Sequence, residues 1–241
     1  MKEKFAEQME RELQGRVVLS ERQMEQFYRY CEMLTEWNKV MNLTAITEME
    51  EVVTKHFVDS LSLGEAVPDL AGHGWRVMDV GTGAGFPGIP LKIAYPELKI
   101  TLLDSLNKRI KFLDAVAEEL QLEGVETIHG RAEDFGRDRR YREQYDLCVS
   151  RAVANLATLS EYCLPFVKVG GAFVSYKSGK LEEELESGRG AVGKLGSEIE
   201  KVLRFALPNG DERVLVTVKK VKPLSTKYPR KAGLPSKMPL A

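Results

Sequence analysis

A run of ten residues with four glycines, residues 79–88, constrains the fold of this chain more than any other segment. It follows a short apolar run typical of a buried strand, residues 76–80, and precedes a segment with helical spacing. Glycine lets the backbone turn tightly and approach a ligand closely, because no Cβ intervenes. A strand, a glycine-rich turn and a helix in this order are typical of the first unit of a doubly wound sheet, which binds nucleotide-like molecules at the carboxyl ends of its strands.

Beyond this run, short apolar segments alternate with segments of helical periodicity. This alternation predicts an α/β fold with a mostly parallel, twisted sheet and helices on both of its faces. The further predicted strands comprise residues 99–104, 125–129, 145–150, 172–176, 202–207 and 213–221. The predicted helices comprise residues 89–95, 107–121, 155–167 and 182–201, and the last of these is interrupted by glycines.

The segment before the first strand has helical spacing throughout, since Phe5, Met9 and Leu13 recur at intervals of four residues. Three aromatic residues further along are interpreted as core of these helices rather than as base-stacking groups: Phe27, Tyr28 and Trp37. The end of the chain is rich in lysine and proline, so we expect it to be extended. We therefore divide the chain into a helical extension, an α/β core and a basic tail, over residues 1–65, 66–222 and 223–241.

Composition excludes several classes of protein. Hydrophobic residues make up 43% and charged residues 29%, which argues against a disordered chain or a disulfide scaffold. No apolar stretch approaches the roughly 20 residues of a membrane span. The N-terminus is charged and the three cysteines are widely spaced, so we expect reduced thiols in the cytoplasm and no secretory signal. The three histidines lie far apart without an HExxH pattern, so we expect no metal site.

The residues at the ends of the predicted strands indicate the kind of ligand. Asp104 ends the second strand, where a carboxylate can accept hydrogen bonds from both ribose hydroxyls. Residues 130–134 follow the third strand and could border an adenine ring. The chain has no GxxxxGK[ST] phosphate loop, and its GxGxG turn continues into Phe86 and Pro87, which has no N–H to donate to an anion. A ligand without phosphates, S-adenosylmethionine, therefore fits better than a dinucleotide.

Over nearly its whole length the sequence resembles the RsmG (GidB) family. The segments that carry the resemblance are residues 37–44, 56–60, 79–88, 130–133, 150–154 and 227–231. The resemblance implies a class I, Rossmann-like methyltransferase, which uses S-adenosylmethionine to methylate N7 of one guanine (guanine 527) in bacterial 16S rRNA. It also implies that the cofactor is bordered by Gly81, Phe86, Ala132, Glu133 and Arg151. The glycine and strand patterns add Gly83 and Asp104 to this cofactor site.

The side chains that other base methylations require are missing from the motifs. Amino-group methylation usually needs a polar-Pro-Pro-aromatic loop after the fourth strand, where residues 150–153 are Ser-Arg-Ala-Val. Methylation at C5 of a pyrimidine needs an activated cysteine, and no charged neighbour of Cys148 or Cys163 is evident. Guanine N7 has an accessible lone pair, so we expect no catalytic general base. Arg151 would line the methyl-transfer pocket and contact the substrate or the methionine carboxylate. A small-molecule methyltransferase and an NAD-dependent oxidoreductase on the same fold remain alternatives.

Basic residues are candidates for contact with RNA, because lysine and arginine neutralise phosphates. The candidate residues are Lys177, Lys227, Tyr228, Arg230 and Lys231. A solvated tail that binds nothing remains an alternative for the last four. A second group of arginines, over residues 131–142, is interspersed with acids and could be a self-paired surface loop. The expected partner is 16S rRNA or the small ribosomal particle; we expect no membrane partner, and a monomer.

Overall fold

The computed structural model describes residues 1–151, 154–179 and 181–241. At its centre lies a seven-stranded sheet in the order β3-β2-β1-β4-β5-β7-β6. The strands are β1 Arg76–Val80, β2 Lys99–Asp104, β3 Val125–His129, β4 Tyr145–Arg151, β5 Val167–Ser178, β6 Ser197–Ala206 and β7 Glu212–Lys220. Neighbours among β1 to β5 pair in parallel, whereas β7 pairs antiparallel with both β5 and β6. The predicted α/β class and mostly parallel sheet are therefore confirmed.

Helices cover both faces of the sheet because successive strand residues point to opposite sides. On β1, for example, Val77 packs into one hydrophobic cluster and Met78 into the other. The first face is covered by α1 Lys2–Leu13, α2 Glu21–Met41, α6 Gly88–Ala94 and α7 Asn107–Glu119. The second face is covered by α8 Ala132–Phe135, α9 Leu156–Cys163, α10 Glu182–Lys194 and α11 Leu234–Lys237. No helix in the described parts of the chain is long and apolar enough to cross a bilayer.

The connection from α2 to β1 consists of short helical pieces. These are α3 Met49–Val52, a π-helix Val53–Val58, α4 Asp59–Leu61, α5 Leu63–Ala66 and a 3₁₀ turn Pro68–Leu70. The π-helix presents Phe57 to the core, where its ring lies 5.1 Å from that of Phe27 and 5.5 Å from that of Tyr30. Tyr30 in turn lies 5.5 Å from the ring of Phe86, which follows β1. The helical extension therefore shares one core with the sheet.

The last predicted helix differs from the structure at its end. Residues 182–201 were expected to be helical, but α10 ends at Lys194 and β6 begins at Ser197, so the prediction is wrong over residues 195–201. The glycines do not interrupt α10, which is continuous from Glu182 to Lys194. One of them, Gly188, is needed for packing. A Cβ at Gly188 would lie 2.9 Å from a methyl group of Leu156, so glycine there lets α10 approach α9 closely.

The C-terminal residues 223–241 are not extended, which corrects the expectation from their prolines. They fold back over α8 and α9, with the side chains of Leu224 and Tyr228 buried in the second cluster. Arg142 and Glu161 hold this segment by hydrogen bonds to its backbone and side chains. These partners lie about 70 to 90 positions earlier in the chain, so local sequence pattern could not reveal them.

Two glycine substitutions in α10 test the packing argument. Gly193→Ala is expected to raise the free energy of unfolding by about 0.5–1 kcal/mol, because alanine favours a helix and nothing lies within 4 Å of the new Cβ. Gly188→Ala is expected to lower it by about 1–3 kcal/mol, because the new methyl group overlaps Leu156. Denaturant unfolding of both variants measures the two shifts. Equal shifts in the two variants would contradict the close approach of α9 and α10.

Candidate functional site

The glycine-rich turn leaves the carboxyl end of β1, whose neighbours in the sheet are β2 and β4. Gly81, Gly83 and Gly85 have φ values of +70°, +63° and +99°, which residues with a Cβ rarely adopt. At Gly85 space is also excluded, because a Cβ would lie 2.7 Å from both Ile89 and the hydroxyl of Tyr30. The turn therefore needs these glycines both for its backbone path and for its contact with the helical extension.

Two buried side chains hold the turn from opposite sides. Asp79, fully buried, accepts hydrogen bonds through Oδ2 from the Thr82 hydroxyl at 2.7 Å and the Gly88 N–H at 2.9 Å. Burial raises the pKa of Asp79 to about 7, against the opposing effect of these hydrogen bonds. On the other side, the buried hydroxyl of Tyr30 donates a hydrogen bond to the carbonyl of Ala84. The turn is therefore fixed by both the sheet and α2.

Asp104, at the carboxyl end of β2, is fixed beside this turn. Its carboxylate accepts hydrogen bonds from the N–H groups of Gly83 and Leu106, both at 2.9 Å, and forms an ion pair with Arg109 at 3.1 Å. Only 2% of its side chain is exposed. A buried carboxylate held by two backbone donors has a defined position, which an exposed one would lack.

A cleft of about 300 Å³ opens next to Asp104, at the ends of β1, β2 and β3. Among the residues that line it are Gly81, Asp104, Ala132, Glu133, Tyr162 and Gly233; we call it the first cleft. Four of the seven predicted cofactor residues line it, and Gly83 contacts one of them. No local sequence pattern marked Tyr162 or Gly233, because they come from α9 and the C-terminal segment.

Phe86 and Arg151 lie apart from the first cleft. The Arg151 guanidinium is 4.9 Å from the Phe86 ring centre and forms an ion pair with Asp59 at 3.0 Å. It also donates hydrogen bonds to Nδ1 of His56 at 3.0 Å and to the carbonyl of Lys55 at 3.1 Å. These contacts occupy the Arg151 head group and fix it against the π-helix.

His56 is held neutral within this network. Its ring stacks on that of Phe86 at 4.3 Å, and its Nε2 lies 3.0 Å from the Thr44 hydroxyl. Burial, and secondarily the charge of Arg151, lower the pKa of His56 to about 3. The pKa of Asp59 is raised by burial, with Arg151 and Arg213 opposing that shift. His56 and Asp59 lie within residues 56–60, one of the segments that carry the family resemblance, but their spacing in the sequence did not predict a role for either residue.

Arg151 and Asp59 line a second cleft, of about 530 Å³, together with Lys55, His56, Lys177 and Arg213. The lining contains four lysine or arginine side chains and one carboxylate, that of Asp59. Three of these cations also pair with acids outside the lining, Lys55 with Glu51, Lys177 with Glu184 and Arg213 with Asp211, so the excess of positive charge is local to the lining. A cationic lining is suited to an anionic ligand. Residues 152 and 153, part of the motif predicted to follow β4, lie outside the described residues.

The residues predicted to contact RNA have different surroundings. Lys177 is 9% exposed, pairs with Glu184 at 2.6 Å and donates to the carbonyl of Ala154. Tyr228 is buried and Arg230 is paired with Glu161, whereas Lys227 and Lys231 are exposed. Lys177 lines the second cleft, whereas the other four belong to the C-terminal segment and do not line it. The structure therefore does not bring the five residues together on one surface.

Three of the five arginines over residues 131–142 make internal contacts. Arg140 pairs with Asp138 at 2.6 Å, as the self-paired alternative expects. Arg137 and Arg142 donate hydrogen bonds to carbonyls of the C-terminal segment, including those of Pro229 and Tyr228. Much of this positive charge therefore serves to fix the chain end.

The three cysteines are buried, and none of them is in a disulfide. Burial raises the pKa of the Cys31 thiol to about 12 and that of Cys148 well above its ordinary value. Thiols in this state are poor nucleophiles. Within the described residues, no cluster of three or more His, Cys, Asp or Glu side chains could hold a metal ion.

Comparison with known proteins decides the family. Residues 23–214 match the family model described as GidB, rRNA small subunit methyltransferase G. This chain belongs to that family. Ribosomal RNA small subunit methyltransferase G of Lachnoclostridium phytofermentans is 54% identical over 223 residues, or 92% of this chain and 91% of the relative. The protein of the same name from Acetivibrio thermocellus is 52% identical over 225 residues, or 93% and 91%.

Solved structures of low sequence identity share the fold of this GidB family member. A putative transferase, PH0793, from Pyrococcus horikoshii has a TM-score of 0.54 at 16% identity, over 68% of this chain and 64% of its own. TYW2 from M. jannaschii, solved in complex with AdoMet, has a TM-score of 0.52 at 15% identity, over 68% and 77%. The fold is that of class I methyltransferases, and the resemblance drawn from the motifs is confirmed.

Removing the Tyr30 hydroxyl tests how the glycine turn is held. Tyr30→Phe keeps the ring but leaves the buried Ala84 carbonyl without its donor, which is expected to cost about 1–3 kcal/mol of unfolding free energy. It should also speed amide hydrogen exchange over residues 81–88. Tyr176→Phe is the control, since it removes a similar buried bond to the Ser60 carbonyl. Unchanged exchange in the turn of the Tyr30 variant would contradict this role.

The depressed pKa of His56 predicts a pH dependence of stability. The unfolded chain binds a proton at His56 near its ordinary pKa of 6.5, but the folded chain binds it only near 3. The stability from neutral His56 is therefore present at neutral pH and lost as the pH falls below about 6.5. Asp79 has the opposite dependence, because its folded pKa is raised, so a comparison of variants is needed.

Below pH 6 we expect the wild type to lose stability relative to His56→Asn, by about 1 kcal/mol for each unit that the pH falls. Denaturant unfolding between about pH 7 and pH 5 measures it. His73→Asn, at an exposed histidine, should give a difference that does not depend on pH. A constant difference for His56→Asn would show that the folded protein binds this proton normally.

Proposed function

We propose that the chain transfers a methyl group from S-adenosylmethionine to N7 of a single guanine, guanine 527, of 16S rRNA in the small ribosomal subunit. The family and its named relatives support ribosomal RNA as the substrate. The structural likeness to TYW2, solved with AdoMet, supports the methyl donor. In this proposal the enzyme acts in the cytoplasm, where its ribosomal substrate is found, and a monomer suffices because the residues of both clefts come from one chain.

The observation that carries the proposal is the chemistry of the first cleft. The charged side chains buried in its wall are carboxylates, Asp104 at 2% and Glu133 at 5% exposure. Of the two arginines that line it, Arg109 already pairs with Asp104 and Arg131 is exposed. A pyrophosphate in this cleft would face buried negative charge, which is unfavourable. Ribose hydroxyls and an adenine amino group are donors that carboxylates accept. The residues present therefore fit an adenosyl group. A dinucleotide also contains one, but Pro87 in the glycine turn has no N–H to donate to its pyrophosphate.

In this proposal Asp104 binds the ribose hydroxyls and Glu133 lies at the adenine, with Ala132 against the ring. Gly81 and Gly83 let the backbone approach the ligand without Cβ atoms. The methionine end would extend along the glycine turn towards Phe86 and Arg151. S-adenosylmethionine supplies a methyl group on a positively charged sulfur.

The second cleft is the proposed place of the target nucleotide. Its excess of cationic side chains suits the phosphates of an RNA strand. Arg151 stands at the carboxyl end of β4, where the proposed substrate and cofactor would meet. Its pairing with Asp59, which also pairs with Arg213, offsets part of the guanidinium charge and so weakens its repulsion of the positive charge on sulfur.

Attack by N7 requires no proton removal, because its lone pair lies in the ring plane of neutral guanine. The contribution of the protein is then alignment of the nitrogen with the methyl carbon and sulfur. His56 would be the most obvious base near Arg151, but both its ring nitrogens have partners and its pKa is about 3. We therefore assign no general base.

The proposal is tested by incubating the protein with methyl-labelled S-adenosylmethionine and small-subunit rRNA, either naked or in the assembled particle. We expect label at N7 of one guanine, identified by nuclease digestion and mass spectrometry. Label at an exocyclic amino group or at a carbon would contradict the assigned chemistry. Absence of transfer to either substrate, with transfer to small molecules instead, would contradict the RNA assignment.

A substitution at Asp104 tests the ribose contact. Asp104→Asn keeps the shape of the side chain but removes the charge that strengthens hydrogen bonds from hydroxyls, so affinity for S-adenosylhomocysteine should fall about tenfold or more. Asp134→Asn is the matched control, because Asp134 is exposed and follows Glu133 directly in the chain. Calorimetry measures both affinities. Equal affinities for wild type and Asp104→Asn would remove Asp104 from the site.

A further inference from the structure

The end of the chain, residues 224–241, is fixed to the body of the protein by several independent contacts; we call it the C-terminal strap. Arg142 donates hydrogen bonds to the carbonyls of Leu224 at 2.9 Å and Tyr228 at 2.8 Å. The hydroxyl of Thr158 donates to the carbonyl of Pro235 at 3.1 Å. Contacts of this kind to backbone carbonyls define the path of the strap without depending on its side chains.

The strongest of these anchors joins the strap to α9. Glu161 is fully buried, and its carboxylate accepts hydrogen bonds from the Arg230 guanidinium at 2.7 to 3.0 Å and from the Arg230 N–H at 2.7 Å. A buried carboxylate without a cation is strongly unfavourable, so Glu161 requires Arg230 in this position. The strap is thereby held just before it reaches the first cleft.

Beyond Arg230 the strap forms part of the wall of the first cleft. Gly233 and Ser236 line the cleft opposite residues from the ends of β1 and β2, with Tyr162 beside them. The Gly233 N–H donates a hydrogen bond of 2.7 Å to Oε1 of Glu133. Gly233 has φ +80°, so its backbone conformation is one that glycine adopts readily and other residues rarely do.

We propose that the C-terminal strap is part of the cofactor site, with Gly233 and Ser236 closing the adenosyl pocket and the Gly233 N–H positioning Glu133. This inference rests on the proposed function, since it takes the first cleft to bind the adenosyl group. One oxygen of Glu133 is engaged by the strap, while Oε2 has no hydrogen-bond partner within the described residues. That oxygen is the acceptor for an amino group such as the one on adenine.

The proposal gives the basic chain end a different role from the RNA contact that its composition predicts. Arg230 and Tyr228 serve to anchor the strap, and its cleft-facing part contains no lysine or arginine. A wall that excludes water from one side of an adenine adds buried area to the complex. Loss of the wall should therefore weaken binding of any ligand that contains the adenosyl group, whether or not RNA is present.

The test is truncation after Lys231, which removes Gly233 and Ser236 but keeps the Glu161–Arg230 pair and the buried Leu224 and Tyr228. We expect the Kd for S-adenosylhomocysteine, measured by calorimetry, to rise at least tenfold. The Kd for 5′-methylthioadenosine should rise by a similar factor, because the lost contacts are to the adenosyl group. Truncation after Met238 is the matched control, since it retains both wall residues, and should leave both affinities near those of wild type.

Should the shorter chain not fold, Gly233→Ala is the second variant. Alanine at φ +80° is strained although the space for its methyl group is open, so the strap must shift away from Glu133 and affinity should fall several-fold. Wild type that binds no S-adenosylhomocysteine would refute the proposed function. If the wild type binds S-adenosylhomocysteine and the truncated protein binds it equally well, the role of the strap is overturned and the proposed function is not. The folded Gly233→Ala variant decides this in the same way if the truncated protein does not fold. Weaker binding of S-adenosylhomocysteine with unchanged binding of 5′-methylthioadenosine would also overturn the role of the strap.

Discussion

The glycine turn after β1 is the constraint on which the rest of the structure depends. Its positive φ values are adopted readily by glycine and rarely by other residues, and its path is set by Asp79 on the sheet side and Tyr30 on the side of α2. Because the Tyr30 hydroxyl reaches the turn from the helical extension, that extension is not an appendage. It completes the packing around the glycine turn, which lies between the two clefts. A substitution in α2 that moves Tyr30 would therefore alter the turn.

The two clefts differ in charge, and this difference supports the binding of a different ligand in each. Buried carboxylates in the first cleft suit hydroxyl and amino donors, whereas the cationic second cleft suits a polyanion. Phe86 in the turn contacts Arg151 in the wall of the second cleft, and each is held by contacts to the π-helix. The π-helix thus connects the helical extension to the place where, in the proposed reaction, donor and acceptor meet.

Features set by local spacing could be predicted from sequence. The presence of the strands, the glycine turn and the place of Asp104 at a strand end each depend on residues close together in the chain, so periodicity and turn chemistry were sufficient for them. The starts of β5 and β6, each five residues before the predicted ones, were not predicted. Contacts between distant segments could not be predicted in this way. Asp59 lies 92 positions before Arg151, and Glu161 lies 69 before Arg230, so nothing local marked either pair. The basic chain end shows the consequence, because its composition resembled a solvated or RNA-binding tail while its contacts make it part of the protein body.

The most direct measurement of the central claim is a crystal structure of the protein with S-adenosylhomocysteine. The account predicts the adenosine in the first cleft, with its ribose hydroxyls on Asp104, its adenine between Ala132 and the C-terminal strap, and the sulfur on the side of the second cleft. Adenosine bound in the second cleft, or a ribose that makes no contact with Asp104, would contradict the account.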